Sequence, residues 1–345
     1  MNNSAAPPLP LSPLLPPRRL SCAHKTIIIT GGNCGIGYET AKQLAELGAH
    51  IIIACRSPHK AADAIQRMGE VKGKIEWLPL SLDNLDTVKS FARTFLQRFA
   101  RLDGIVCSAG INSSSDPEND VFAVNCTAHF YLVSLLTPLL KKSGTLNSPS
   151  RVVTLSSAMH VSIAKSASHL VAWEEATTAN AYSRSKLGLH LMANYITKHG
   201  APLVLGVAVN PGAVNSSIWR GSSSWIQCVA SLLFLSSKQG AQPCVYAMAS
   251  PSILCDAVLS HPKHSFFYVT PYTPICAPCV RCCPANRLFR RGWLLLSNLT
   301  EAVFGRCLFA RACYGTPSAV ACDEREMEHF FKFAIRSIEA WIRWH

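Results

Sequence analysis

The sequence predicts an α/β fold, one doubly wound domain on a seven-stranded parallel sheet with a Cys/Arg-rich insertion near its C-terminus. Three observations predict it. From Lys25 onward, short β-branched runs alternate with longer helical patterns, as parallel βαβ units require. The first run passes directly into a glycine-rich loop and then a helical pattern. The 345 residues are 49% hydrophobic and 15% charged, enough apolar surface for a large core, which excludes a disordered or fibrous protein.

Residues 1–24 hold six prolines between Pro7 and Pro17, a density that breaks the helical core of a signal peptide, so a flexible tail is expected. The catalytic domain is expected over 25–275, with strands at 26–30, 50–55, 74–80, 104–107, 151–155, 203–209 and 266–269. Right-handed crossovers then place helices on both faces and ligands outside the carboxyl ends of the strands. No run reaches the 18 or so apolar residues of a membrane span. Beyond 269 the alternation stops, and Pro271, Pro274, Pro278 and Pro284 punctuate a segment that we read as an insertion, 276–322, before an amphipathic helix within 323–345.

The net charge is +13, and 276–322 holds six arginines against the single acid Glu301. This appendage therefore carries +5 of the +13. No recognition motif accompanies it, so nucleic acid is not expected as a partner. There are fifteen cysteines. Cys34 lies in the glycine loop, and Cys55, Cys107 and Cys126 end or follow apolar runs, where a thiol acts as a small hydrophobe. A reducing, intracellular compartment is expected.

Thr26–Thr30 runs into Gly31-Gly32-Asn33-Cys34-Gly35-Ile36-Gly37. Gly31 can make the sharp turn, Gly35 lets the backbone approach a pyrophosphate, and Gly37 allows close helix packing, while the helix N-terminus offers N–H groups to the anion. The second strand ends Ala54-Cys55-Arg56 without the carboxylate that would bind the ribose hydroxyl of NAD. Arg56 suits the 2′-phosphate of NADP instead. Further along, Tyr182 and Lys186 stand at i and i+4, on one helical face. A phenol is a poor base at neutral pH, and a neighbouring ammonium together with a cationic nicotinamide brings it into working range. Tyr182 is the expected proton donor or acceptor, with Lys186 tuning it. Ser157, with Ser156 competing, can hydrogen-bond a substrate oxygen, and Asn125 is a polar residue in an apolar run that either bridges elements structurally or serves the site.

These residues resemble the short-chain dehydrogenase/reductase family over about 25–270, through Thr30-Gly31…Gly35-Ile36-Gly37, Ser108-Ala109-Gly110, Asn125, Ser156-Ser157, Tyr182…Lys186 and Asn210-Pro211-Gly212. Ala54-Cys55-Arg56, Val124-Asn125…His129-Phe130, Gln239-Gly240-Ala241-Gln242 and the 25-residue step from Ser157 to Tyr182 are similar to its retinol-dehydrogenase-like group. The resemblance implies a Rossmann fold, NADP(H) and hydride transfer between nicotinamide and an alcohol or carbonyl. It gives Asn125, Ser157, Tyr182 and Lys186 the catalytic tetrad roles, with Asn125 helping to hold a water in a proton relay. Cofactor contacts are implied at Gly31, Asn33, Cys34, Gly35, Ile36, Gly37, Arg56, Ser108, Ala109, Gly110, Tyr182, Lys186, Pro211, Gly212, Val214 and Ser216. The chain departs from the family at Ser108 (usually Asn), Ser81 (usually an Asp that contacts adenine), Ala128 (usually Gly) and Ser216 (usually Thr). These departures bear on adenine binding and on the placement of the central strand.

Between Ser216 and Lys238, Trp219, Trp225, Ile226, Val229 and Leu232–Leu235 form an apolar stretch in the region of the family's substrate lid, which suits a lipophilic carbonyl or alcohol such as a retinoid, steroid or fatty aldehyde, or else core packing. Within 276–322, arginines interleaved with aromatic and aliphatic residues suit a membrane surface. Cys276, Cys279, Cys282 and Cys283 have thiolate spacing without a second ligand pair, and no metal site is assigned. A cytoplasmic enzyme touching a membrane surface, pairing as a homodimer, is the expectation. The competing class is an NADP(H)-binding regulatory or scaffold protein with little catalysis.

Overall fold

Each strand sends alternate side chains to opposite faces, and the sequence supplies apolar residues for both. A computed structural model of the chain describes residues 20–112, 121–163, 173, 181–214, 235–251, 267–272, 311–314 and 323–344. Strands β1 (Thr26–Thr30), β2 (His50–Cys55), β3 (Lys74–Pro79), β4 (Gly104–Cys107), β5 (Ser150–Leu155), β6 (Val204–Val209) and β7 (Phe267–Tyr272) are parallel. β8 (Arg311–Tyr314) runs antiparallel to β7, giving the order β3-β2-β1-β4-β5-β6-β7-β8. The predicted seven-stranded parallel sheet is present, in the doubly wound order that reverses between β1 and β4. The eighth strand comes from within 276–322, the segment read as an insertion. An edge strand needs only the unpaired backbone groups of its neighbour and no apolar pattern of its own.

Helices α1 (Gly35–Glu46), α2 (Pro58–Met68) and α7 (Gln242–Ala249) cover the face carrying Ile27, Ile29, Ile51, Ile53, Val106 and Val153, with the short α6 (Ser237–Gly240) beside α1. Helices α3 (Leu85–Arg98), α4 (Ala128–Ser143), α5 (Ala181–Gly200) and α8 (Glu324–Trp344) cover the face carrying Ile28, Ile52, Ile105 and Val152. Alternation within the single triplet Ile27-Ile28-Ile29 thus feeds both cores. Cys55, Cys107 and Cys126 are buried, as expected of small hydrophobes. The stretch Ala123–Ser143 is by length and composition apolar enough to cross a membrane, yet 67% of it is buried within the protein, where α4 serves as a core helix.

Most of the proline-rich tail, the apolar stretch 216–234 with Ser216, the cysteine spacing at 276–283 and the arginine-rich 281–306 lie outside the described residues.

Candidate active site

In doubly wound sheets ligands bind where connections leave neighbouring strands in opposite directions, and in this sheet that place lies between β1 and β4. Gly31 takes φ +66°, a region that side-chain-bearing residues avoid, and a Cβ on Gly37 would stand 2.5 Å from the Gly31 carbonyl oxygen and 2.7 Å from Ser108 Oγ. Cys34, at the cap of α1, makes no side-chain capping bond, and the first turn holds no acid, so the positive end of the helix faces the loop. A cradle that a side chain would fill, beneath a helix N-terminus, fits a dinucleotide pyrophosphate.

Ser108, Ala109 and Gly110 follow β4 at the same edge. The backbone N–H groups of Ser108 and Ala109 donate to Thr30 Oγ1 at 3.0 and 3.1 Å, and Ser108 Oγ donates to the Thr30 carbonyl. The serine departure therefore leaves β4 in register with β1, with Thr30 opposite Cys107. Thr30 Oγ1 also lies 2.8 Å from His129 Nε2, while His129 Nδ1 lies 2.8 Å from the Asn125 carbonyl oxygen. Burial lowers the His129 pKa to about 4, keeping the ring neutral, and its carbonyl partner assigns the proton to Nδ1.

Asn125 sits in a π-helical turn, Ala123–Thr127, ahead of α4. Such turns add a residue to a helix and re-aim its side chains. Buried there, Asn125 Nδ2 donates to the Ile111 carbonyl at 2.8 Å and to Ser185 Oγ at 3.1 Å, and its Oδ1 accepts from Ile111 N at 2.8 Å. The amide thus bridges the exit of β4 to α5.

On α5, Ser185 Oγ donates to the Tyr182 carbonyl at 2.7 Å. The two candidate serines separate cleanly. Ser156 is buried and donates to the Lys186 carbonyl at 2.9 Å, whereas Ser157 caps the short turn Ala158–Ser162 and hydrogen-bonds the Tyr182 side chain. Lys186 Nζ lies 5.4 Å from the centre of the Tyr182 ring and donates to the Leu155 carbonyl at 2.8 Å. Burial pushes the Tyr182 pKa up to about 12, opposed by the Ser157 bond, and burial pulls Lys186 down to about 8. Burial is the dominant cause at both groups, and Tyr182 stands as a protonated donor at neutral pH.

At the end of β2, Arg56 Nη1 lies 3.1 Å from Asp83 Oδ2. At the end of β6, Asn210 Oδ1 accepts from Gly212 N at 3.1 Å, Gly212 takes φ +78°, and Val214 forms an isolated bridge with Leu235. All the described site residues thus gather at the carboxyl edge of the sheet. Sequence reasoning named Thr30 and His129 within motifs but gave them no role, and it missed Asp83, Trp173 and Glu326. Trp173, between Ser157 and Tyr182 in the chain, donates from Nε1 to the fully buried Glu326 of α8 at 2.8 Å, and its carbonyl accepts from Arg184 at 3.4 Å. Its ring packs on Phe122 and Phe330, with centroids 5.7 and 5.1 Å away. No local pattern announces a pair 153 residues apart.

A family model described as short chain dehydrogenase matches residues 25–227. WW domain-containing oxidoreductase of Gallus gallus is 38% identical over 253 residues, 66% of this chain, which spans only 59% of that relative's length. Polyprenol dehydrogenase of Homo sapiens is 31% identical over 259 residues, 70% of this chain and 77% of its own. Dehydrogenase/reductase SDR family member 13 of Bos taurus is 34% identical over 68% of this chain and 64% of its own. Among solved structures, a Pseudomonas aeruginosa RhlG/NADP active-site complex superposes with a TM-score of 0.55 at 24% identity, covering 68% of this chain and 92% of that one. A short-chain type dehydrogenase/reductase from Mycobacterium marinum gives 0.56 at 16% identity, covering 72% and 94%. These two likenesses are of fold.

Proposed function

Because the chain belongs to the short chain dehydrogenase family, a family of oxidoreductases, we propose that it is an NADP(H)-dependent enzyme interconverting a carbonyl and an alcohol on a lipophilic small molecule. The observation that carries the proposal is the hydrogen-bonded Ser157–Tyr182 pair beside Lys186, at the edge where the glycine cradle lies. When bound, the reduced cofactor supplies the hydride. Ser157 then holds the substrate oxygen, and Tyr182 Oη gives it a proton, so that C=O becomes CH–OH and the tyrosine becomes phenolate; in the opposite direction the phenolate recovers that proton. Lys186 keeps a positive charge by the ring below about pH 8. Asn125 fixes the π turn against α5, at the place from which a water relay would start.

Gly31 through Gly37 would hold the pyrophosphate, Arg56 the 2′-phosphate, Ser108 to Gly110 the adenosine side, and Pro211, Gly212, Val214 and Ser216 the nicotinamide end. The NADP-bound fold neighbour and Arg56 in place of an acid support NADP over NAD. The apolar stretch 216–234 and the relative named for a polyprenol support a lipophilic substrate. Replacing Tyr182 by Phe lowers NADPH oxidation against hydrophobic aldehydes and ketones by about 10³-fold and leaves NADPH binding, followed by fluorescence, within about twofold. Retained turnover in Y182F would overturn the assignment. Tight NADPH binding with no oxidation across a broad panel would favour a regulatory protein instead. Contact of 276–322 with an anionic membrane surface is tested by vesicle flotation of the whole chain against a variant with Arg281, Arg287, Arg290, Arg291 and Arg306 replaced by Gln, which leaves β8 in place.

A further inference from the structure

The corner where β2 and β3 end holds a carboxylate that the family pattern does not use. The family places an acid at position 81; this chain has Ser81 there and an acid two residues on, Asp83. Asp83 does not hang free. One of its oxygens accepts from the Ser81 hydroxyl, and the other faces Arg56 Nη1 at 3.1 Å. The loop beneath is pinned as well. Ser81 N donates to Thr87 Oγ1 at 3.2 Å, Thr87 Oγ1 bonds the Ser81 carbonyl and lies 2.8 Å from the Asn84 carbonyl, and Asn84 caps α3 by accepting from Asp86 N at 2.8 Å. The two partners therefore differ in freedom: the Asp83 side chain is 28% exposed on a fixed turn, whereas that of Arg56 is 72% exposed at a strand end.

We propose that Asp83 is a cofactor-selecting residue, which competes with the 2′-phosphate for Arg56 and holds the preference for NADP(H) over NAD(H) below what the arginine alone would give. The proposal rests on the reading of Arg56 as the phosphate contact. A guanidinium binds a phosphate best through two parallel donors, and a carboxylate already on one terminal nitrogen takes part of that fork. A phosphate docked on the remaining edge then faces a fixed negative charge across a few ångströms of partly screened space. NAD(H) carries no phosphate that enters this competition.

The test is fluorescence titration of the full-length chain with NADPH and with NADH, for the wild type, D83N, D83A and R56A, at low and high salt. D83N keeps the shape of the turn and an acceptor for Ser81. It tightens NADPH by about fivefold, changes NADH by less than about twofold, and loses most of the gain at high salt. D83A shows the same direction, which separates the charge from the turn. An unchanged or weaker NADPH affinity in both variants overturns the role of Asp83. R56A weakens NADPH by about tenfold with NADH unaffected. If R56A leaves NADPH unchanged, the phosphate-contact reading falls and the proposal with it; if R56A weakens NADPH while neither Asp83 variant tightens it, only the proposal falls.

Discussion

The Tyr182–Lys186 centre and the Arg56–Asp83 corner occupy the same edge of one sheet but live under different electrostatics. Around α5 the groups are buried, and burial is the dominant cause that moves Tyr182 up to about 12 and Lys186 down to about 8. At the end of β2 the arginine is 72% exposed, and water and salt share the interaction. Under the proposed function this is a division of labour: deep charges would set what chemistry can happen, and shallow ones which cofactor is held and how tightly.

The hardest way to break that comparison is Lys186→Met. Turnover falls by about 10³-fold, yet the chain becomes more stable at pH 7. A buried lysine whose pKa is about 8 in the folded state and 10.5 ordinarily costs about 3 kcal/mol wherever both states are charged. The unfolded chain binds more protons between these values, so wild-type stability rises from pH 8 to 10.5, and the advantage of K186M disappears over that window. Urea unfolding at pH 7 and pH 10.5 measures it, and a K186M chain less stable than wild type at pH 7 would contradict the burial argument.

His129 gives the next largest effect. Its folded pKa of about 4 against an ordinary 6.5 means that the unfolded state takes up the proton first as pH falls. Stability is full above pH 6.5 and declines by about 3 kcal/mol down to pH 4. His129→Leu flattens this acid limb and costs about 2 kcal/mol at pH 7, because the Thr30 hydroxyl and the Asn125 carbonyl lose a buried partner. A third prediction concerns rate. Carbonyl reduction is flat to about pH 8 and then drops as Lys186 discharges, while the phenol limits nothing until near pH 12. A plateau extending past pH 10 would assign the limb to another group. The smallest effect lies at the corner: raising salt from 50 to 500 mM weakens NADPH binding by about threefold in the wild type and less in R56A, with Tm almost unmoved.

Much of this fold was legible because its signals are local. The runs at 26–30, 50–55 and 104–107 become β1, β2 and β4 with the same bounds, since a parallel strand buried on both faces must be apolar along its length. Tyr182 and Lys186 were readable from an i, i+4 step, and Gly37 from the loop that it closes. What escaped depends on distance along the chain. Asp83 meets Arg56 across 27 residues, and His129 meets Thr30 across 99. β8 has four residues and no alternation, and its pairing with β7 comes from the neighbour's open edge rather than from its own composition. The choice between Ser156 and Ser157 likewise needed α5 in place, because adjacent residues on an extended chain point opposite ways and only the packed helix says which way is inward.

The bond from Trp173 to Glu326 has a consequence for the order of events during synthesis. A chain emerging from the ribosome N-terminus first can pair β1 through β6 and seat α5 while α8 is still inside the tunnel. Until Glu326 emerges, however, the indole of Trp173 has no carboxylate to meet, and Phe330 is absent from the ring cluster beside it. The ring cluster around Trp173, which joins α8 to the segment before α5, is therefore completed only after the last helix has been made. A prematurely terminated chain would carry Asn125, Ser157, Tyr182 and Lys186 and still leave Trp173 without its carboxylate and one of its ring neighbours.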